Sequence, residues 1–211
     1  MPSADVVNRA LAGAQARGLL WVAGLMPLVW LVYATVADLL GANPAQALVR
    51  QTGDWALRLL CLTLAITPVR VSWGWSALAR WRRTVGLWTY FYAVLHLLCY
   101  AWFDMGLEPA EIVQDIAKRP FILVGFLAWC LLTLLAATSF NRAVRWLGGA
   151  RWQQLHRAVY VVAGLAILHF FWMRAAKNNL GEVVVYALVL GSLLAWRLYR
   201  AWRGRQARRV D

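Results

Sequence analysis

The sequence predicts an all-α membrane protein, a bundle of six transmembrane helices. Three observations carry that reading. Hydrophobic residues make up 62% of the 211 positions and charged residues only 15%, with a mean hydropathy of +0.56, too apolar and too charge-poor for an ordinary soluble domain. Six apolar runs follow one another along the chain, and the arginines stand in the short gaps between them. The net charge of +13 therefore sets orientation in a bilayer; it forms no continuous basic face of the kind a nucleic-acid footprint needs. Cys61, Cys99 and Cys130 sit in three different runs, form no CxxC pair and read as buried packing residues.

Residues 1–17, with Arg9 and Arg17, read as a cytoplasmic N-terminal segment. The first span, 18–37, is free of charge and long enough to cross about 30 Å of hydrocarbon. Its apolar core exceeds that of a cleaved signal peptide, so it reads as a retained helix, kinked at Pro27. Residues 38–53 contain Gly41, Asn43, Pro44 and Gly53 and read as a loop. The second span, 55–69, is ended by Pro68 and Arg70 and carries Arg58, which either snorkels to the surface or faces a cofactor carboxylate. Between spans two and three, Arg70, Arg80, Arg82 and Arg83 alternate with Trp73, Trp75 and Trp81, a composition suited to a membrane interface.

The third span is 84–103, and 104–119 is an acidic loop. The fourth span, 120–140, opens on Pro120, a residue favoured at a helix start. A short basic loop leads to the fifth span, 152–173. A turn over 174–182 precedes the sixth, 183–196, and a basic tail over 198–211 closes the chain. Residues 18–197 form one transmembrane domain, with no internal repeat and no linker to a second domain. The N-terminal segment, the second connection, the fourth connection through Arg157, and the C-terminal end from Arg197 onward carry 16 Lys or Arg. The opposite connections carry 5, including Lys177, which makes the first side cytoplasmic and places both termini there.

All three histidines lie inside apolar runs, where an ionisable side chain is costly and by default functional. His96 is twelve residues into the third span and His169 seventeen into the fifth. Both spans run outward from the basic side, so the two imidazoles lie at similar depth in the outer half. Two neutral imidazoles on neighbouring helices can hold the iron of one b-type haem, and the chain has no CxxCH for covalent attachment.

His156 lies near the cytoplasmic end, thirteen residues and about 20 Å of helix rise before His169. On a straight helix the two would point about 140° apart, and Gly164 between them offers a bend or a close approach for a porphyrin. Arg82 stands about 21 Å before His96 and about 40° off its face, where a four-histidine cytochrome would place a ligand. Guanidinium is a poor iron donor. An inner site built on His156 and Arg82 thus has an unusual second ligand, stays five-coordinate, or binds something other than haem. Gly86, Gly125 and Gly164 read as helix-packing glycines. With no GxGxxG or GxxxxGK[ST] and no extramembrane segment able to hold NADPH, electrons must come from another molecule.

Four stretches, TGDWALRLLCLTLAITPVR, RRTVGLWTYFYAVLHLLCY, KRPFILVGFLAWCLLTLLAATS and LGGARWQQLHRAVYVVAGLAILHFFW, together resemble a known family over nearly the whole chain. This is the haem-binding membrane subunit of the bacterial protein-methionine-sulfoxide reductase system, within the ferric reductase-like transmembrane group. The resemblance implies a six-helix inner-membrane protein with one or two b-type haems and an associated FMN. It implies electron relay from the quinone pool or a cytoplasmic flavin reductase to a periplasmic molybdopterin subunit that reduces methionine sulfoxide in oxidised proteins. It puts His96, His156 and His169 on haem-ligand positions and Arg82 where the wider group keeps another histidine. A self-contained ferric or quinone reductase of the same fold, and a haem-free scaffold or permease with histidines on a proton path, remain open beside it.

Overall fold

The computed structural model describes residues 4–175 and 178–210, the last four of these by backbone alone; Lys177, counted above among the opposite-side cations, lies outside them. Ten α-helices and no strand occur among the described residues: α1 (Ala4–Ala12), α2 (Ala14–Val36), α3 (Pro44–Trp73), α4 (Leu78–Cys99), α5 (Pro109–Lys118), α6 (Pro120–Ala137), α7 (Asn141–Leu147), α8 (Gly149–His156), α9 (Val159–Ala175) and α10 (Gly181–Val210). A π turn, Tyr100–Asp104, extends α4. Six stretches are long and apolar enough to cross a membrane: α2, α3, α4 with its π turn, α6, α8 with α9, and α10.

Several boundaries depart from expectation. The predicted loop over 38–53 is mostly helix, because α3 starts at Pro44. Pro44 suits the first helical position, and the Asn43 side chain caps the turn by accepting from the Gln46 N–H at 2.9 Å. Within this helix the Thr52 hydroxyl turns back onto the Leu48 carbonyl at 2.7 Å. At the other end α3 passes through Pro68 and stops at Gly74, whose φ of 69° is the left-handed conformation that glycine adopts most readily. The acidic loop contains α5, opened by Pro109. The sixth span and the basic tail form one unbroken helix, α10.

The fifth span breaks: α8 ends at His156, a turn covers Arg157 and Ala158, and α9 begins at Val159. Tight i to i+3 bonds carry the chain through, from Arg157 N–H to Gln154 O and from Ala158 N–H to Leu155 O. The straight-helix angle between His156 and His169 therefore does not apply. The N-terminal segment is docked as well. Asn8 donates to Gly74 O and accepts from the Ala77 N–H, both at 3.1 Å, and the Trp81 indole donates to Leu11 O at 3.0 Å.

Helix α2 stays continuous across Pro27 because a neighbour supplies what the ring disturbs. The Tyr92 hydroxyl, fully buried on α4, accepts from the Leu28 N–H and donates to the Gly24 carbonyl, both at 2.9 Å. It is inserted into the backbone ladder at the one turn that a proline loosens. Two close pairs make the centre of the bundle: α3 lies along α4, and α6 lies along α9. α10 packs on α3 and α9, and α2 packs on α4. An apolar core of Leu57, Leu60, Leu64, Leu135, Val159 and Val162 joins the two pairs. The remaining seam between them, toward the end that carries α5, is open.

Candidate functional site

His96 on α4 and His169 on α9 face each other across that seam, with ring centroids 6.2 Å apart and planes at 74°. Each ring is anchored by its own helix pair. His96 Nδ1 lies 2.8 Å from the Val49 carbonyl of α3, and His169 Nδ1 lies 2.7 Å from the Phe121 carbonyl of α6. A carbonyl can only accept, so both Nδ1 atoms carry the proton. Both Nε2 atoms keep a lone pair and have no hydrogen-bond partner among the described residues. Fixing the tautomer through Nδ1 in this way is how proteins prepare an imidazole to bind a metal.

The two anchors are built alike. Val49 precedes Gly53 by four residues, as Phe121 precedes Gly125. A Cβ on Gly53 would lie 3.0 Å from His96 Nδ1, and a Cβ on Gly125 would lie 2.8 Å from the His169 ring. Each glycine thus leaves bare the patch of helix through which an imidazole reaches the carbonyl one turn earlier. The same helix-pair unit occurs twice, although the sequence carries no repeat beyond a Gly on the first helix and a His on the second.

Both histidines line a cavity of about 680 Å³, within the range of cofactor pockets. Its far end is apolar, formed by Leu57, Leu60, Ala128, Leu132 and Val162. Its near end, beside α5, carries Arg50, Asp54, Asp104, Arg119 and Arg174. Arg174 is 8% exposed and clasps three helices, 3.6 Å from Asp54 of α3 and 2.6 Å from Glu182 of α10. Tyr100, turned inward by the π turn, donates to Asp115 at 2.7 Å, and Asp115 pairs with Arg119 at 2.8 Å. The indole N–H of Trp129, also in the lining, is buried without a partner.

The remaining candidates lie elsewhere. His156 stacks on Trp152 at 4.0 Å, and its Nε2 lies 3.1 Å from the Thr138 hydroxyl. That hydroxyl gives its proton to Leu134 O at 2.8 Å, so the ring donates and its Nε2 is engaged. Arg82 is half-buried on α4, and neither residue lines the cavity. Arg58, one of whose readings had it facing a cofactor carboxylate, is outside the cavity too, over the Trp55 ring and bonded to the Tyr186 hydroxyl at 3.1 Å. Gly164 is exposed and outside the lining, so it offers no approach to a bound porphyrin there. Cys61 is buried as expected, but Cys130 is exposed on the outer face of α6. Sequence reasoning missed Gly53, the Asp54–Arg174–Glu182 clasp and the two carbonyls. The glycine four residues after each carbonyl was the signal that could have found them.

The model of the ferric reductase-like transmembrane component family matches residues 52–167, a stretch that holds His96 and most of the cavity lining but ends just before His169. Relatives described as "Protein-methionine-sulfoxide reductase heme-binding subunit MsrQ" match closely. The one from Polaromonas naphthalenivorans is 59% identical over 93% of this chain and 89% of its own length. That from Ralstonia nicotianae is 51% identical over 87% and 85%, and that from Bordetella pertussis 48% over 99% and 100%. No solved structure matches the chain. With its six apolar helices and these relatives over almost its full length, the chain is a multi-pass membrane protein that belongs to the ferric reductase-like transmembrane family, in the branch formed by the MsrQ proteins.

Proposed function

We propose that the protein is a transmembrane b-type cytochrome that holds haem between His96 and His169. In this reading it relays electrons to a periplasmic molybdopterin methionine sulfoxide reductase subunit from the quinone pool or a cytoplasmic flavin reductase. The separation of the two imidazoles carries the reading. Metal–nitrogen bonds are about 2.0–2.1 Å, and a nitrogen lies about 1.1 Å from the centre of a five-membered ring with ~1.33 Å bonds. Two rings sharing one metal through Nε2 therefore have centroids about 6.3 Å apart. The observed 6.2 Å fits, as do the free Nε2 lone pairs. The relatives' heme-binding name agrees with the group proposed.

Bound there, haem supplies a one-electron couple. The chain's own residues do the rest: Val49 and Phe121 hold the ligand tautomers, Gly53 and Gly125 let the rings seat, and the apolar far wall keeps water out. Reducing a sulfoxide to a thioether and water takes two electrons and two protons, so each repair draws on the relay twice. The distribution of Lys and Arg supports a reading with both termini in the cytoplasm and the α5 end, with its cavity mouth, on the periplasmic side of the inner membrane. This site accounts for one haem. At the His156 end the engaged Nε2, with Arg82 in place of a histidine, offers no second imidazole pair. FMN belongs to the reading through resemblance alone.

The test is haem content of the purified protein by pyridine haemochrome assay, with flavin measured after acid extraction. His96→Ala and His169→Ala should each abolish the haem, while His156→Ala keeps it. Full haem content in both of the first two variants would remove the ligand assignment. Reduced protein that passes electrons to a soluble ferric chelate as fast as to the sulfoxide reductase would favour a self-contained ferric reductase.

A further inference from the structure

The charged groups of the cavity are confined to its α5 end, and its three arginines are not equivalent. Arg174 is already neutralised by Asp54 and Glu182. Arg119 is held through Nε by Asp115 at 2.8 Å and makes no second ion pair among the described residues, so donors remain on its guanidinium. Arg50 lines the cavity and makes no ion pair among the described residues; Asp54, one turn further along α3, goes to Arg174. Two guanidinium groups with unused donors therefore stand at the mouth of a cavity whose opposite wall is leucine, alanine and valine.

We propose that Arg50 and Arg119 receive the two propionate carboxylates of the haem, so that the propionate edge faces the α5 end and the vinyl edge lies on the apolar wall. This rests on the haem reading above. Haem b is amphiphilic, with both carboxylates on one edge and only methyl and vinyl groups on the other. In the reverse orientation two carboxylates would be buried against Leu57, Leu60 and Leu132 without a cation, a cost that pairing at the mouth avoids. Arginine suits the task, because its planar fork matches a carboxylate and stays charged at any working pH. The same charges set the redox balance. Ferric haem carries one more positive charge than ferrous haem, so nearby cations favour the ferrous form, and removing them lowers the midpoint potential.

The test uses the full-length protein in detergent, freed of haem and refilled either with haem b or with haem b dimethyl ester, in which both carboxylates are capped. The wild type should bind the ester about ten-fold more weakly, the scale of a charge-assisted hydrogen bond. The Arg50→Gln/Arg119→Gln double variant should bind the two alike, and its haem b should show a lowered midpoint potential. Arg50→Gln alone, at an exposed position that ties no helices together, should lose part of the discrimination. Arg58→Gln, outside the cavity, should behave as wild type. Equal binding of haem and ester by the wild type, or undiminished discrimination by the double variant, overturns this assignment alone. A wild type that takes up neither pigment overturns the haem reading and the assignment with it.

Discussion

At the scale of single residues, the site depends on what two glycines leave out. The Cβ that alanine would add at Gly125 falls 2.8 Å from the His169 ring, closer than side chains approach one another. The ring cannot retreat without giving up its 2.7 Å bond to Phe121 O. Overpacking of this kind costs about 1–3 kcal/mol, and here the strain falls directly on a proposed haem ligand. Gly125→Ala should therefore lose more than half of the bound haem, measured as haem per polypeptide. Gly53→Ala should act in the same direction and more mildly, since its contact is 3.0 Å. Gly164→Ala, with nothing within 4 Å of the added carbon, should bind haem as wild type does. The histidine pair was legible in the sequence because the bilayer gives depth a meaning: two histidines at matched positions in spans of the same direction must lie level. Their anchors were hidden, because a carbonyl looks the same at every residue and only the bare glycine marks where one can be reached from the side.

At the scale of elements, proline positions had to be read with their neighbours. At Pro27, where a kink is expected in α2, the group that completes the turn is Tyr92 on another helix, bonded to both Leu28 N–H and Gly24 O. Tyr92→Phe keeps the ring and removes the bridge, leaving a backbone donor and acceptor unpaired in an apolar interior. Such a loss costs about 1–3 kcal/mol, so the variant should melt several degrees lower in detergent while retaining its haem, since Tyr92 does not line the cavity. The apolar cores of all six crossing helices could be located from composition, because long apolar runs with at most one cation have few other fates. Helix ends were less legible. α3 begins at Pro44 within a polar, glycine-bearing stretch whose side chains turn back onto their own backbone, and the break after His156 arises at Arg157 and Ala158, neither a helix breaker. Both choices are made by packing between helices, which a single run of residues does not record.

At the scale of the whole molecule, the site joins two similar halves. His96 reaches 47 residues back to Val49, and His169 reaches 48 residues back to Phe121, so each helix pair is complete in itself and presents one imidazole to the seam. Near the α5 end the pairs face each other across the cavity, while Leu64, Leu135 and Val162 join them deeper in the bundle. A haem gripped from both sides would tie the halves at the end where they are otherwise apart, and by mass action should stabilise the fold by about 2.7 kcal/mol at a hundred-fold excess over its Kd. Cysteine labelling can detect this. With Cys61, Cys99 and Cys130 replaced by serine or alanine, Ala166→Cys on the cavity wall should react with a maleimide in haem-free protein and be protected at least ten-fold after haem is added. Gly164→Cys, two residues away on α9 but facing outward, should react alike in both states. Equal protection at both positions would mean that haem orders α9 as a whole, and no protection at position 166 would mean that the seam is not where haem binds.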